Sequence, residues 1–206
     1  MNAALPSVLL ARHGETAWSL SGQHTGLSDI PLTPQGEANA CDLGARLRAM
    51  RFDLVLTSPL QRARRTCDLA GFGDVALAEP DLVEWNYGDY EGKRTVEILQ
   101  QRPGWQLFRD GCPGGESTAD IGRRADRVIE RVRKAGPRVL VFSSGHILRV
   151  IGARWLGLPP GGGAYFLLGT ASLSDLGYEH DMSEPVHRFW NDMHHLTPLA
   201  KPAGKT

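Results

Sequence analysis

The chain has 206 residues, and its 23 Lys+Arg balance its 23 Asp+Glu, so the formal net charge is zero. Proteins that bind nucleic acid or an anionic membrane usually carry a basic excess, and none is present here. No apolar run approaches the roughly 20 residues that cross a bilayer, and the first residues lack signal-peptide features. An even composition along residues 1–206 predicts a single cytoplasmic domain without nucleic-acid or membrane partners.

The cysteines and histidines suggest neither a disulfide framework nor a metal site. Cys41 and Cys67 fall within helical patterns, so we expect them to be buried in a reducing compartment, whereas Cys112 could be exposed in its Gly/Pro-rich loop. No HxxxH, HxH or Asp-rich ligand set accompanies the histidines. We therefore expect no metal and no cofactor.

The chain begins with a strand and a helix. Ser7 to Ala11 is an apolar run of strand length, and a loop from Ser19 to Pro34 follows it. Thr33 and Pro34 place an N-cap residue before a proline at the first helical position. The helix that follows has an apolar face made of Ala40, Leu43, Leu47 and Met50.

The same order of strand and helix then repeats. Leu54 to Leu56 is a second buried strand, after which Ser58-Pro59 again predicts a cap and a helix start. This helix runs through Arg62 and Thr66, and residues 75–77 form a weaker strand candidate.

The middle of the chain has few regular elements. Residues 80–116 are predicted to form a loop-rich lid around one short helix, Arg94 to Gln101, which Pro103 stops. Ser117 and Asp120 have the spacing of a capping box and begin a clear amphipathic helix that continues to Ala135.

The last third is predicted to complete the sheet. Val139 to Phe142 is a buried strand, residues 147–156 a helix, and residues 171–177 and 186–190 a closing strand pair. Residues 197–206 are predicted to be a flexible tail. Strands that alternate with helices predict an α/β fold, a three-layer α/β/α sandwich around a mostly parallel central sheet.

Three polar clusters follow predicted strands directly: Arg12-His13, Ser58-Pro59 leading to Arg62, and Ser144-Gly145-His146. The carboxyl ends of parallel strands meet at one edge of a sheet, which is the usual ligand site. Two arginines, two histidines and two helix N-termini would then converge there. Guanidinium groups and free backbone N–H groups suit a dianionic phosphate.

His13 is the candidate nucleophile. A neutral imidazole can attack phosphorus without a metal if cations neutralise the phosphoryl oxygens and if its other nitrogen is held as a donor. A backbone carbonyl can accept that hydrogen bond, and Gly14 permits a close approach of the chain. The leaving alkoxide needs a proton from a carboxylic acid, and Glu84 is the best candidate because it is isolated among apolar and aromatic residues.

These motifs resemble those of the histidine phosphatase superfamily, also called the phosphoglycerate mutase-like family. The resemblance spans nearly the whole chain and is carried by residues 9–16 (LLARHGET), 57–63 (TSPLQRA), Glu84 with Gly88 and Glu91-Gly92, and residues 114–117 (GGES). It implies a phosphohistidine at His13, phosphate binding by Arg12 and Arg62, and proton donation by Glu84.

The sequence departs from this family at two positions. Ser19 stands where the family commonly has asparagine, and we expect serine to keep one hydrogen bond to the phosphate. Ser144 stands where the family has a phosphate-binding histidine, and the nearest histidine is His146. Either His146 reaches the phosphate, which we favour, or Ser144 and the helix N-terminus take that role.

The resemblance implies a phosphatase acting on small phosphate esters. Residues 19–26, together with Ser144-Gly145-His146, look most like the branch of sedoheptulose-bisphosphatase-type and broad sugar-phosphate phosphatases. The candidate substrate-binding residues are Ser19, Gln23, Thr25, Gly26, Ser144 and Tyr87. A phosphoglycerate mutase is the first alternative, although no clamp for a substrate carboxylate is evident. An impaired phosphate-ester-binding protein is the second, and a homodimer is left open.

Overall fold

The computed structural model describes residues 5–196, and the predicted tail at 197–206 lies outside them. The described chain forms one six-stranded sheet in the order β3-β2-β4-β1-β5-β6. The strands are β1 (Ser7–Arg12), β2 (Leu54–Thr57), β3 (Leu77–Ala78), β4 (Arg138–Ser143), β5 (Leu173–Tyr178) and β6 (Pro185–Asp192). The helices are α1 (Ala17–Ser21), α2 (Pro34–Leu47), α3 (Gln61–Leu69), α4 (Thr95–Gln101), α5 (Leu107–Asp110), α6 (Thr118–Lys134) and α7 (Gly145–Trp155).

Strands β1 to β4 run parallel, and β5 and β6 continue the sheet antiparallel beyond β1. Alternate residues of β1 point to opposite faces, so Val8 and Leu10 join one apolar core while Leu9 and Ala11 join the other. Helices α6 and α7 cover the first core, and α2 and α3 cover the second. The predicted three-layer α/β/α sandwich with a mostly parallel sheet is confirmed.

The register brings two of the three polar clusters side by side. Arg12 at the end of β1 pairs with Ser143 at the end of β4, immediately before Ser144. Thr57, at the end of β2, pairs with Phe142 on the other side of β4. The segments that leave β1, β2 and β4 therefore start from one edge of the sheet, as the sequence predicts.

The predicted start of α3 is wrong by two residues. The helix begins at Gln61 and not at Pro59, and its N-cap residue Leu60 offers no side-chain cap. Asp29, from the loop before α2, instead accepts a hydrogen bond from the Gln61 N–H at 2.7 Å. A distant carboxylate thus satisfies the helix end that Ser58 was expected to cap.

Three further expectations need correction. Cys41 is exposed on α2, while Cys112 is buried. Met50 lies beyond the end of α2 and is exposed, although Ala40, Leu43 and Leu47 are fully buried as expected. The section 80–116 also holds more local structure than expected, with α5 and two short 3-10 helices besides α4.

Candidate active site

A cavity of about 270 Å³ opens at the carboxyl edge of the sheet. Eight of the eleven residues predicted for the site line it: Arg12, His13, Ser19, Gln23, Thr25, Glu84, Tyr87 and His146. The remaining three, Arg62, Gly26 and Ser144, are not among the lining residues. Segments from four parts of the chain therefore meet at one pocket.

His13 follows β1 directly and is 4% exposed. Its Nδ1 atom lies 2.7 Å from the carbonyl oxygen of Gly14, so an Nδ1–H donates there and the lone pair is on Nε2. Burial lowers the pKa of His13 well below its ordinary value, and the nearby charges of Arg12 and Arg62 lower this pKa further. The ring is thus a neutral imidazole with one nitrogen available for attack.

Arg12 holds its guanidinium beside the start of α7. One terminal nitrogen donates to the carbonyl of Leu168, and a Cβ added at Gly145 would lie 3.2 Å from its Nε atom. That Nε atom is buried and has no hydrogen-bond partner among the described residues. A buried donor without an acceptor is costly, so a ligand oxygen placed there would stabilise the site.

Arg62, on the first turn of α3, is completely buried. Its terminal nitrogens donate to three backbone carbonyls of one loop: Ser28 at 2.9 Å, Thr25 at 3.1 Å and Gly26 at 2.8 Å. Its Nε atom, like that of Arg12, has no partner within residues 5–196. Arg62 thus organises the loop wall of the cavity while its positive charge acts on His13.

Glu84 is 4% exposed and faces the cavity from the segment between β3 and α4. Its Oε1 atom accepts hydrogen bonds from the N–H groups of Trp85 and Ile147, and its Oε2 atom from the N–H of His146, each at 2.9 Å. Two of these donors belong to the first turn of α7. Glu84 therefore caps this helix across space and is held at a defined position beside the pocket.

Arg124 supports the Glu84 segment from outside the pocket. From the middle of α6 it binds both carboxylate oxygens of Glu116 and donates to the carbonyls of Asp81, Val83 and Glu84. Sequence reasoning missed this residue, because Arg124 is one of several arginines on α6 and nothing in its neighbours distinguishes it.

The two candidates for the missing histidine occupy different environments. Ser144 is the N-cap residue of α7 and is fully buried, and its Oγ atom has no hydrogen-bond partner in the described chain. His146 lines the cavity, and its Nδ1 atom lies 2.5 Å from the hydroxyl oxygen of Tyr87. Of the two side chains, that of His146 lines the cavity and that of Ser144 does not, and binding of the phosphate by His146 stays a prediction.

Several of the predicted substrate-binding residues already use their hydrogen-bond donors within the protein. The Ser19 hydroxyl donates to the Thr16 carbonyl and accepts from the Thr16 N–H, so its proton is engaged, contrary to expectation. The Gly26 N–H donates to the Glu91 carboxylate at 2.8 Å, so it is not free for a substrate. Gln23 is anchored to Gly92 by its amide nitrogen. These residues shape the wall of the cavity more than they present donors to it.

Arg149, on α7, also lines the cavity, although it is not among the eleven predicted site residues. Its guanidinium lies 4.5 Å from the ring centroid of Phe108 and donates to the carbonyls of Gly163 and Ala164. His24 lines the cavity as well, and its ring lies 4.7 Å from that of Tyr87.

Among residues 5–196, one group could hold a metal ion: Glu179, His180 and Glu184, all exposed at the turn between β5 and β6. Because β5 runs antiparallel to β1, this turn lies at the amino-terminal end of β1. The cavity lies at the other end of β1, its carboxyl end. In the same described range, no helix is long and apolar enough to cross a bilayer.

The comparison with known families finds one match along most of the chain. Residues 8–192 match the Histidine phosphatase superfamily (branch 1). The chain is 39% identical over 181 residues to an acid phosphatase of Mycobacterium tuberculosis, with 86% of this chain and 89% of the relative covered. It is 38% identical over 191 residues to the sedoheptulose 1,7-bisphosphatase of Saccharomyces cerevisiae, with 77% and 70% covered.

Further similarities concern a mutase and a solved structure. A 2,3-bisphosphoglycerate-dependent phosphoglycerate mutase of Cytophaga hutchinsonii is 34% identical over 161 residues, with 71% of this chain and 76% of the relative covered. The solved structure of an open reading frame product of Mycobacterium tuberculosis superposes with a TM-score of 0.85 at 37% identity. That superposition covers 90% of this chain and 97% of the other.

Proposed function

The chain belongs to the histidine phosphatase superfamily and is a phosphatase, and we propose that it hydrolyses small phosphate esters through a phosphohistidine at His13. The observation that carries this proposal is the state of the His13 ring. It is neutral, it has Nδ1 engaged by the Gly14 carbonyl, and it leaves Nε2 free near the charges of Arg12 and Arg62.

In the first step, the Nε2 lone pair of His13 attacks phosphorus as the bond to the ester oxygen breaks. Glu84 gives its proton to the leaving oxygen, so the alcohol departs neutral. The products of this step are the free alcohol and a phosphohistidine.

In the second step, the Glu84 carboxylate accepts a proton from water, whose oxygen attacks phosphorus. The phosphorus–nitrogen bond breaks, and inorganic phosphate leaves with His13 neutral again. The unpartnered Nε atoms of Arg12 and Arg62 support roles as donors to the phosphoryl oxygens in both steps. None of these residues requires a metal, and activity is expected to persist in EDTA.

Small sugar phosphates are the proposed substrates. The cavity of about 270 Å³ suits a metabolite, and its lining is rich in polar groups. The named activity of the sedoheptulose 1,7-bisphosphatase relative supports the same class. A panel of sugar mono- and bisphosphates, phosphoglycerates and p-nitrophenyl phosphate, ranked by kcat/KM, tests this; a preference for p-nitrophenyl phosphate over every sugar phosphate would count against it.

Mutase activity is the alternative, since phosphoglycerate mutases are also among the relatives. A mutase must hold a substrate carboxylate while the substrate reorients. Arg94 and Arg109, two arginines of the section between Glu84 and α6, form exposed pairs with Glu97 and Asp110 instead of lining the cavity. This arrangement favours transfer of the phosphoryl group to water and not back to the substrate.

Labelling with an alkaline, denaturing quench separates the possibilities, because the phosphorus–nitrogen bond of a phosphohistidine hydrolyses in acid. With a phosphorus-labelled substrate, the proposed enzyme gives label on His13 that chases into inorganic phosphate, and His13→Ala gives none. Label that chases into an acceptor alcohol would identify a mutase. A chain that binds the substrate but never carries label would be a phosphate-ester-binding protein, with Ser144 as the first position to examine.

We also propose a cytoplasmic location for the protein. Support comes from its free cysteines, which suit a reducing compartment. Homodimer formation stays a prediction, and the concentration dependence of the sedimentation coefficient would test it.

A further inference from the structure

We propose that Tyr87 is a positioning residue that fixes the tautomer and orientation of His146, so that Nε2–H of His146 donates to the transferring phosphoryl group. This inference rests on the proposed function and adds a residue pair to it. Tyr87 reaches the site from the segment that carries Glu84, whereas His146 stands on the first turn of α7. The two residues are joined by the 2.5 Å contact between the Tyr87 hydroxyl and Nδ1 of His146.

The direction of this hydrogen bond follows from burial. Tyr87 is 1% exposed, and its hydroxyl has one hydrogen-bond partner among the described residues, Nδ1 of His146. Burial raises the pKa of Tyr87 well above its ordinary value, and burial lowers the pKa of His146 well below its own. A protonated phenol therefore faces a neutral imidazole. Because a buried O–H needs an acceptor and Nδ1 of His146 is its partner among the described residues, we infer that the phenol donates.

The tautomer of His146 follows directly. With the lone pair of Nδ1 occupied by the Tyr87 proton, the ring hydrogen resides on Nε2. Nε2 has no hydrogen-bond partner within residues 5–196, and the ring lines the cavity with about a quarter of its side chain exposed. The pair thus presents one N–H donor to the pocket from a ring that cannot easily turn.

The surroundings of His146 keep it a neutral donor. Arg149, Arg12 and His24 lie near enough to disfavour a positive charge on the ring. The Glu84 Oε2 atom is 3.7 Å from Nδ1, and it already accepts the backbone N–H of His146. The Phe108 and Tyr87 rings flank the imidazole at centroid distances of 5.4 Å and 5.9 Å, which restricts its rotation.

The serine at position 144, where the family has a phosphate-binding histidine, explains why His146 needs a positioning residue. Its hydroxyl is buried without a partner and does not line the cavity. The imidazole of His146 lies two residues further along the chain, on the first turn of α7. From there it needs a hydrogen-bond partner that fixes the orientation of its ring. Tyr87 is that partner, since it is the hydroxyl in contact with the His146 ring.

The decisive variant is Tyr87→Phe, which removes one oxygen and keeps the ring. We expect kcat to fall about tenfold with KM changed less than threefold, because the lost preorganisation acts on the transition state. Tyr90→Phe is the matched control: Tyr90 is also buried, packs against Trp105, and is expected to keep wild-type kcat. Equal losses in both variants would indicate a packing effect and overturn the proposal.

Long-range ¹H–¹⁵N spectra of the histidine rings give a readout independent of turnover. The His146 signals, assigned by their loss in His146→Ala, should have the Nε2–H pattern in the wild type and a mixed pattern in Tyr87→Phe. An Nδ1–H pattern in the wild type, or an unchanged pattern in Tyr87→Phe, would overturn the proposal. Absence of label on His13 would instead refute the proposed function and leave this spectrum interpretable.

A double variant completes the test. If Tyr87 acts through His146, adding Tyr87→Phe to His146→Ala causes no further loss of kcat. Additive losses would mean that the two side chains act separately, and they would contradict a positioning role.

Discussion

The guanidinium of Arg124 contacts both carboxylate oxygens of Glu116, with nitrogen–oxygen distances of 2.7 Å to each. This pair is largely buried, at 12% and 18% side-chain exposure, and the same guanidinium holds three carbonyls of the segment that ends at Glu84. The Glu116 carboxylate also accepts the N–H of Asn86 at 2.9 Å. One ion pair thus fixes the backbone around the proposed proton donor.

Arg124→Ala should therefore destabilise the fold by about 3–5 kcal/mol, because it leaves the buried Glu116 charge and three carbonyls without their donor. It should also lower kcat, since Glu84 loses its backbone support. Arg123→Ala is the control: Arg123 is 65% exposed and its ion-pair partner among the described residues is Asp120 on the same helix, so a change within about 0.5 kcal/mol is expected. Urea unfolding and steady-state kinetics check both, and similar effects in the two variants would contradict the assignment.

The pH dependence of turnover should report the arginine charges around His13. Those charges lower the pKa of His13, so removing one raises this pKa toward its ordinary value. A protonated imidazole cannot attack, and the acid limb of kcat/KM in Arg62→Gln is therefore expected at higher pH than in the wild type. Arg62→Lys keeps the charge and should leave the limb nearly in place. A limb that does not move in Arg62→Gln would contradict this electrostatic role.

The loop after His13 tolerates no side chain at Gly14. A Cβ built there would lie 2.3 Å from the carbonyl oxygen of Gly36, which is backbone and cannot turn aside. Gly14→Ala is expected to cost about 1–3 kcal/mol of stability and to displace the carbonyl that holds His13 Nδ1, lowering kcat.

Gly157→Ala gives a comparison for this variant. A Cβ there meets no atom within 4 Å, but φ is +76°, so the change should cost about 1 kcal/mol from backbone strain alone. Its kcat should match the wild type. Calorimetry and single-turnover rates on both variants distinguish the clash from the strain, and a normal single-turnover rate in Gly14→Ala would refute the proposed effect on His13.

The replacements at Ser144 and His146 should differ in their effect on phosphatase turnover. His146→Ala removes the ring donor that lines the cavity, and we expect kcat/KM to fall at least about tenfold. Ser144→Ala removes a buried hydroxyl that has no partner, so turnover should stay within about threefold and stability should not decrease. Near-normal activity in His146→Ala together with loss in Ser144→Ala would reverse the assignment.

The sheet, the main helices and the convergence of polar clusters were predictable because they follow from local patterns. Apolar runs such as Ser7 to Ala11 indicate burial directly. The spacing of Ser117 and Asp120 indicates a capping box, which the structure confirms at the start of α6. The family resemblance was also confirmed, since its motifs recur in order along residues 8–192.

What sequence reasoning missed depends on contacts between distant segments. The cap of α3 comes from Asp29. The cap of α7 comes from Glu84, which lies 62 positions before His146 in the sequence. The engagement of the Gly26 N–H by Glu91 likewise joins two separate loops. Each of these partners is an ordinary acidic residue in its own surroundings, so no local pattern distinguishes it.

The pairing of β1 has a consequence for how the chain can acquire its structure during synthesis. Its two neighbours in the sheet are β4 and β5, so Ser7 finds its partner Arg138 only after most of the chain has emerged. Until then the apolar strand β1 has no neighbouring strand to pair with. Unpaired apolar strands are prone to association between chains. Slow refolding, with yields that fall as protein concentration rises, is therefore expected, and regain of phosphatase activity should be among the last events.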